Sequence, residues 1–339
     1  MDLKRLRQIL DRAASKRILV IGDLMLDKFI RGQVNRISPE APVPIVEVDG
    51  EDYFPGGAAN VARNIQEFGA QVAVAGMIGG ELDKNGRRLR ELLAARHIDS
   101  SLSVERKKFW TTVKTRIIAN HQQLLRLDRD TLVTPTASEV KDFVGQIIIK
   151  LSEFDAIIFE DYAKGFLTQE IIDRLGLEAR QANKITAADP NPRHSINWHD
   201  ITLVKPNRKE AFEAAGILYS KPQFPYDPEQ DVNLLKVGKV LLEKWRPKYL
   251  LISLAEQGMI LFQQDQRPHH IPTKARDVFD VSGAGDTALG LFILALAGEA
   301  NPVEAAEIAN HACAVVIGQT GTGTVTREKL VDSFEHDPD

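Results

Sequence analysis

Short apolar runs alternate with helical patterns along most of this chain, and the alternation restricts the fold more than any other feature. RILVIGD (17–23) and DAIIFEDY (155–162) are rich in β-branched residues and end in polar ones, as buried strands do. AANVARNIQEFG (58–69) and ASEVKDFVGQIIIKLSEF (137–154) have the spacing of amphipathic helices. Strands that are apolar throughout indicate a parallel sheet with helices on both faces. The sequence therefore predicts an α/β fold with a mostly parallel sheet.

Polar residues follow several of the predicted strands. In an open parallel sheet, ligands bind beyond the carboxyl ends of the strands. We therefore expect a functional site along one edge of the sheet. The polar residues that end predicted strands are Asp23, Asp161, Asp189, Asn207 and Ser253.

Two stretches interrupt the alternation. Residues 28–55 are extended and punctuated by prolines, and residues 108–128 alternate like a hairpin with a turn near Asn120. We predict that they form a small β lid inserted into the α/β domain; the alternative is an extension of the main sheet at its edge. The predicted domain covers residues 1–330, and a frayed tail covers 331–339.

Composition narrows the class of partner. The 339 residues carry a formal net charge of −4, which argues against nucleic acid or an anionic membrane surface as the main partner. No apolar run reaches the ~18 residues of a membrane span. The single cysteine, Cys313, excludes a disulfide within the chain, and its helical spacing predicts a small core residue. We expect a cytoplasmic enzyme that acts on small molecules.

DVSGAGDTALG (280–290) combines glycines with an acidic residue just before an apolar helical pattern. A glycine-rich turn that opens a helix would direct the N–H groups of Gly283, Ala284 and Gly285 at one point, where the helix dipole favours an anion. Asp286 beside them would accept the proton of an attacking alcohol while the amides stabilise a phosphoryl group. The alternative is an acidic helix cap with glycines that serve packing.

The usual nucleotide-binding fingerprints do not occur. The chain has no GxxxxGK[ST], which argues against a P-loop enzyme, and no GxGxxG follows the first strand. The second absence weakens the dehydrogenase interpretation.

DVSGAGDT resembles the C-terminal signature of the ribokinase-like (PfkB) carbohydrate kinases. PGGAANVARNIQEFGA (55–70) resembles their N-terminal signature, and the two occur in the family's order. The similarity extends from Ile18 to Val325. It implies a ribokinase-like fold, ATP as co-substrate, Mg²⁺ and a sugar acceptor.

Several segments resemble one branch of this family, the D-glycero-β-D-manno-heptose 7-phosphate kinases. That resemblance implies phosphorylation of the C1 hydroxyl to the 1,7-bisphosphate, a precursor of ADP-heptose and the lipopolysaccharide core. Many such kinases are fused to an adenylyltransferase; no HxGH motif occurs here, so we expect a free-standing kinase. The segments are GDLMLDKF, RISPEAPVPIV, NHQQLLRLD, EDYAKG, AEQGM and GTGTV.

One departure leaves the exact sugar open, since DPNPRH stands where heptose kinases usually have DPKG, and Arg193 is at a different spacing from the missing lysine. The alternatives are a PfkB kinase for another sugar or sugar phosphate, and a non-catalytic sugar-binding protein on the same fold.

The resemblance assigns roles to individual positions. Asp286 would be the catalytic base, and Gly283, Ala284 and Gly285 would bind the phosphoryl charge. The backbone near Asp280 and Ser282 would be a site for a monovalent cation such as K⁺, and Glu210 would bind Mg²⁺ indirectly. The sugar phosphate would contact Asp23, Asp27, Gly56, Gly57, Asn60, Gln123, Arg126 and Lys164. The nucleotide would contact Asn207, Arg208, Lys209, Glu210, Ser253, Gly258 and Asn310.

Structural roles stay open for many of these positions. Helix capping could explain Asn60, Asn207 and Glu210, and a turn at the strand end could explain Asp23. The other charged candidates could be solvated side chains. Finally, the lid suggests a homodimer that pairs through it.

Overall fold

The computed structural model describes residues 1–120, 122–132, 134–222, 226–275, 281, 283–318 and 323–336. The strands are β1 (Arg17–Gly22), β2 (Leu24–Ile37), β3 (Pro44–Gly57), β4 (Gln71–Ala75), β5 (Met77–Gly79), β6 (Val104–Arg106), β7 (Thr112–Ala119), β8 (Gln122–Arg129), β9 (Ala156–Glu160), β10 (Ile185–Asp189), β11 (Leu203–Val204), β12 (Tyr249–Ser253), β13 (Met259–Gln263) and β14 (His269–Ile271). The α-helices are α1 (Leu3–Ala13), α2 (Ala58–Glu67), α3 (Lys84–Ala94), α4 (Ala137–Lys150), α5 (Gln169–Gln181), α6 (Arg208–Ala214), α7 (Val232–Trp245), α8 (Ala284–Ala297), α9 (Pro302–Ile317) and α10 (Arg327–Glu335).

Eight strands form one sheet in the order β14-β13-β12-β11-β10-β9-β1-β4. The strands from β4 to β12 in this order are parallel to their neighbours, while β13 and β14 form an antiparallel edge. The prediction of a mostly parallel α/β fold is confirmed. The carboxyl ends of the parallel strands lie along one edge, where the polar strand-end residues were expected.

The sheet separates two apolar cores. Ile18 and Val20 of β1 belong to the core that α2 and α8 cover, whereas Leu19 and Ile21 belong to the core under α4 and α5. Successive side chains of a strand point to opposite faces, so an all-apolar strand needs helices on both.

Helix α8 is apolar on nearly all sides, and most of its residues are buried. It packs against α2 and α9, which explains why it lacks a polar face. Its 14 residues are too few for a membrane span. Within the described ranges no helix combines the length and apolarity needed to cross a bilayer.

Two further apolar runs, QVAVAGMIG (71–79) and ITLVKPN (201–207), have the pattern of buried strands but form shorter strands in the structure. The run 71–79 is divided at Gly76, where a Cβ would lie 2.3 Å from the carbonyl oxygen of Gly22, and its second half pairs with β6 instead of β1. The run 201–207 contributes only two strand residues, because Pro206 lacks an N–H group and Asn207 already caps α6.

The two interrupting stretches form a four-stranded sheet of their own, in the order β3-β2-β7-β8. The alternative that they extend the main sheet is therefore wrong. The predicted hairpin turn lies between β7 and β8, with Asn120 at a φ of 51°. We call these four strands the lid.

The prediction of a frayed tail over 331–339 is wrong for its first part. Helix α10 continues to Glu335, because Leu330 is fully buried and the Phe334 ring stacks on His311 at 3.6 Å. The last three residues, 337–339, lie outside the described residues.

Candidate active site

Asp286 lies in the first turn of α8 and is 7% exposed. Its Oδ2 accepts a hydrogen bond from Asn60 Nδ2 at 2.6 Å, and its Oδ1 accepts one from the Tyr162 hydroxyl at 2.8 Å. The N-cap of α8 is Gly283, with a φ of 81°, and that of α2 is Gly57. The alternatives that Asp286 and Asn60 serve only as helix caps are therefore wrong.

Burial raises the pKa of Asp286 to about 6, because the carboxylate loses hydration. The hydrogen bonds from Asn60 and Tyr162 oppose this shift, since they stabilise the charged form. Burial, together with the charge of Asp286, raises the pKa of Tyr162 well above its ordinary value, so its phenol remains a donor. Asp286 is thus ionised at neutral pH and has a proton affinity suited to a general base.

Replacing Tyr162 by phenylalanine should move the acidic limb of the pH profile of kcat/KM upward by about one pH unit. In the native protein the limb should lie near the Asp286 pKa of about 6, because a carboxylate accepts a proton only when it is ionised. Loss of the phenol donor removes one interaction that holds this pKa down. Initial rates measured across pH test this.

Asp23 provides the internal control for that measurement. Burial also raises its pKa to about 6, but it contacts backbone N–H groups, which the Tyr162→Phe substitution retains. A limb that stays in place in the variant would assign the titration to Asp23 and contradict the role of Tyr162.

The Asp23 carboxylate organises the loop after β9. It is 4% exposed and accepts backbone N–H bonds from Tyr162 and Lys164 at 3.0 Å and from Phe166 at 3.4 Å. The structural alternative for Asp23, a turn at the strand end, is therefore observed. A contact of Asp23 with the sugar stays a prediction.

Asp27 forms an ion pair with Arg116 of β7 at 2.6 Å, and both side chains are mostly buried. The alternative of a solvated carboxylate is therefore wrong. A Cβ on Gly56 would lie 2.5 Å from Asp27 Oδ2, and one on Gly57, whose φ is 59°, would lie 2.4 Å from the carbonyl oxygen of Asp23. These glycines let β3 approach both acidic residues.

The remaining residues predicted to bind the acceptor already have partners or are exposed. Lys164 Nζ pairs with Asp130 at 2.7 Å, and Arg126 pairs with Asp128 of the same strand at 2.9 Å. Gln123 and Arg126 lie on β8, all of whose residues are exposed. Contacts of these side chains with a sugar phosphate stay predictions.

A cavity of about 820 Å³ opens beyond the carboxyl ends of β9 to β12. All the residues predicted to bind the nucleotide line it, together with two from the start of α8. They are Asn207, Arg208, Lys209, Glu210, Ser253, Gly258, Asn310, Ala284 and Gly285.

Contacts within the chain account for the conformation of several residues that line this cavity. Asn207 and Glu210 form a reciprocal capping box at the start of α6, as the capping alternative predicted. The guanidinium of Arg208 is held by Asp231, at 2.6 Å, and by the Tyr226 hydroxyl. Arg208 therefore secures the polar loop before α7, and its predicted contact with a nucleotide would need those bonds to rearrange.

The far wall of the cavity is formed by α9 and the turn after β12. Asn310 Nδ2 donates to the carbonyl oxygen of Pro272 at 2.6 Å. Gly258 has a φ of 84°, and a Cβ there would lie 2.1 Å from the carbonyl oxygen of Ile271. Cys313, predicted as a small core residue, is partly buried, packs against the core beside α8 and also lines the cavity.

Lys205 is not among the site residues predicted from the sequence. Its side chain places a buried charge at the floor of the cavity. It is 2% exposed, and its Nζ lies 2.7 Å from Asp189 Oδ2 and 3.5 Å from the position of a Cβ on Gly285. Burial opposes the charge of Lys205, but the carboxylate of Asp189 outweighs this effect and raises the lysine pKa. The ammonium group therefore stays charged beside the first turn of α8.

The predicted anion site is partly formed. The N–H group of Ala284 contacts the carbonyl oxygen of Val281 at 3.3 Å, whereas that of Gly285 has no hydrogen-bond partner in the described part of the chain. The Gly285 amide, the helix dipole and the ammonium of Lys205 together favour a phosphoryl group at this point.

The donor set of the cavity fits Mg²⁺ carried by a nucleotide. The described residues contain no group of three or more acidic, histidine or cysteine side chains placed to hold a metal ion alone. Glu160, Asp189 and Glu210 nevertheless line the cavity, and the buried Oε1 of Glu160 has no hydrogen-bond partner. Carboxylate oxygens combined with phosphate oxygens are the usual Mg²⁺ ligands. The predicted monovalent-cation residues Asp280 and Ser282 lie outside the described residues.

Together, the fold and the site define a phosphotransferase that acts on an alcohol. A buried carboxylate suited to accept a proton stands beside a helix N-terminus suited to bind a phosphoryl group, at the ligand-binding edge of a parallel sheet. The pfkB family carbohydrate kinase profile matches residues 15–329. The chain belongs to this family and is a carbohydrate kinase that phosphorylates a sugar hydroxyl with ATP as co-substrate.

Curated relatives align with nearly the whole chain. The bifunctional protein HldE of Pelobacter propionicus is 38% identical over 98% of this chain, and this chain spans 66% of that protein, just under two thirds. HldE of Geobacter sulfurreducens is 37% identical over 99% of this chain, which covers 67% of it.

Solved structures confirm the ribokinase-like fold. Phosphofructokinase-2 from Escherichia coli, in complex with substrates and products, aligns with a TM-score of 0.75 at 19% identity, over 94% of this chain and 99% of that one. Arabidopsis thaliana ribokinase, complexed with ribose and ATP, aligns with a TM-score of 0.73 at 16% identity, over 95% and 100% of the two chains.

Proposed function

We propose that this kinase transfers the γ-phosphoryl group of ATP to the C1 hydroxyl of D-glycero-β-D-manno-heptose 7-phosphate, giving the 1,7-bisphosphate. The observation that most supports phosphoryl transfer is the position of Asp286, whose carboxylate is held by Asn60 and Tyr162 in the first turn of α8. The heptose segments, above all RISPEAPVP in the lid, support the choice of sugar.

The nucleotide would occupy the cavity beyond β9 to β12, with its terminal phosphate near Gly285 and Lys205. Both residues line the part of the cavity that lies at the N-terminus of α8. Mg²⁺, when bound, would neutralise phosphate charge. Glu160 offers it an oxygen without a hydrogen-bond partner, whereas Asp189 and Glu210 are already held by Lys205 and Asn207.

In the transfer step, the acceptor oxygen attacks phosphorus in line with the leaving ADP oxygen. One oxygen–phosphorus bond forms, the bond to ADP breaks, and the hydroxyl proton passes to Asp286. The Asn60 and Tyr162 hydrogen bonds fix the direction of this carboxylate before the sugar arrives. Positioning and charge stabilisation thus account for the catalysis, without a covalent phosphoenzyme.

The lid would close over the sugar and exclude water, which limits hydrolysis of ATP.

Strand β8 of the lid exposes Leu124, Leu125 and Leu127. This apolar surface supports a homodimer that pairs through the lid. Dependence on ATP supports a cytoplasmic location.

A substrate panel tests the choice of sugar. ADP release should be measured with ATP and heptose 7-phosphate, fructose, fructose 6-phosphate, ribose or a nucleoside as acceptor. We expect the highest kcat/KM with heptose 7-phosphate. A higher value with a hexose, a pentose or a nucleoside would overturn the substrate assignment and leave the kinase assignment in place.

A further inference from the structure

His194 ends the segment DPNPRH, which stands in place of the DPKG of heptose kinases, and it has no part in the transfer step. Its Nδ1 lies 3.1 Å from both carboxylate oxygens of Asp161, which directly follows β9. A carboxylate can only accept a hydrogen bond, so Nδ1 carries the proton and donates. His194 therefore ties the loop after β10 to the loop after β9.

The side chain of Asp161 is fully buried and contacts both loops. Its Oδ1 accepts a hydrogen bond from the backbone N–H of Ala163 at 2.8 Å, within the loop after β9. The backbone N–H of Asn191, in the loop after β10, donates to the same carboxylate. Among the residues that the structure describes, His194 provides the only side-chain donor to Asp161. The conformation of both loops therefore depends on this one carboxylate.

The loop after β9 has a conformation that needs such support. Ala163 has a φ of 54°, in the left-handed region, where a residue with a Cβ is disfavoured. Burial raises the pKa of Asp161, because the carboxylate loses hydration. The Ala163 N–H and the His194 imidazole oppose this shift, since they stabilise the charged form. A charged carboxylate is the stronger acceptor, so His194 strengthens the bond that holds Ala163 in place.

Tyr162, between Asp161 and Ala163, connects this loop with the catalytic base. Its backbone N–H donates to Asp23 Oδ2 at 3.0 Å, and its hydroxyl donates to Asp286 Oδ1 at 2.8 Å. Asp23 and Asp161 thus hold the backbone of the loop, and the phenol at the far end of the tyrosine reaches the base. Hydrogen bonds weaken steeply as they bend, so a small displacement of the loop would misdirect the phenol.

We infer that His194 is a positioning residue for phosphoryl transfer. Through Asp161 it fixes the loop that directs the Tyr162 hydroxyl at Asp286, and it does not itself touch the reacting atoms. This role rests on the proposed function in one respect, the use of Asp286 as the base, and it holds for any acceptor sugar. It also gives a function to the segment that departs from DPKG.

His194→Leu should lower kcat by about 10- to 100-fold, because the misdirected phenol no longer orients the base in the transition state. The KM values for ATP and for the sugar should change by less than about twofold, since His194 lies outside the residues that line the nucleotide cavity. His194→Asn should recover most of the rate, because its amide Nδ2 can donate to Asp161 in place of the imidazole. His269→Leu, at an exposed histidine of β14, is the matched control and should keep the native kcat.

A double-mutant cycle with Tyr162→Phe separates positioning from a general loosening of the fold. Tyr162→Phe removes the hydrogen bond to Asp286 altogether and should lower kcat at least as much as His194→Leu does. In the Tyr162→Phe background, His194→Leu should lower kcat by less than about twofold further. The rates should be measured below the melting temperature of the least stable variant, with the acceptor of the substrate panel that gives the highest kcat/KM.

An undiminished loss of kcat from His194→Leu in the Tyr162→Phe background would overturn the inference. A native kcat in His194→Leu, an equal loss in His269→Leu, or no recovery in His194→Asn would also overturn it. Preference for another sugar would contradict only the proposed substrate, because the cycle is measured with whichever acceptor reacts best. A near-native kcat in Asp286→Asn would instead contradict the proposed base.

Discussion

Replacing Asp286 by asparagine should lower kcat by about 10³- to 10⁴-fold while ATP binding survives. Asparagine has nearly the same shape, but it cannot accept the hydroxyl proton. The side chain lies outside the set of residues that line the nucleotide cavity, so the affinity for ATP should change little. Single-turnover rates, together with calorimetric titration of ATP, measure the two quantities separately.

The control for this variant is Asp265→Asn. Asp265 is exposed at a turn with a φ of 56°, a conformation that asparagine adopts readily. It should keep the native rate. A rate in Asp286→Asn within about tenfold of the native value would remove Asp286 from the role of base.

Replacing Lys205 by methionine should destabilise the fold by about 3–5 kcal/mol. The substitution removes the charged partner of Asp189 and leaves that carboxylate beside Glu160 at the floor of the cavity. The deficit in the free energy of unfolding should grow between about pH 5 and about pH 8. Burial already raises the pKa of Asp189 in the native protein, and Lys205 opposes that shift. Loss of Lys205 raises this folded-state pKa further above the unfolded value, so the variant loses more stability than the native protein as pH rises through that folded pKa.

Two further variants separate charge from packing. Lys205→Met combined with Asp189→Asn removes both charges, and the loss should be smaller than in Lys205→Met alone. Lys236→Met, at an exposed lysine of α7, should leave stability unchanged. Urea unfolding at the two pH values measures all three proteins. A deficit in Lys205→Met that does not depend on pH would contradict the ion-pair account.

Much of the fold can be predicted because it follows from local pattern. The apolar runs of β1 and β9 and the helical spacing of α2 and α4 each depend on neighbouring residues, and parallel order follows from their alternation. The capping box of Asn207 and Glu210 is also local, since three residues separate its partners.

The contacts that make the site specific depend on sheet order and register instead. Tyr162 reaches Asp286 across 124 positions, and Arg116 reaches Asp27 across 89. Periodicity contains no information about such pairs. For Lys205 the sequence does contain a signal, since this residue directly follows β11 at the ligand-binding edge.

The position of the new phosphate tests the central claim most directly. The protein should be incubated with ATP and D-glycero-β-D-manno-heptose 7-phosphate, with Asp286→Asn in parallel, and the product examined by ³¹P and ¹H NMR. We predict a second sugar phosphate coupled to the anomeric proton at C1 with the native protein, and almost none with the variant. A phosphate on another carbon, or equal product from both proteins, would contradict the account.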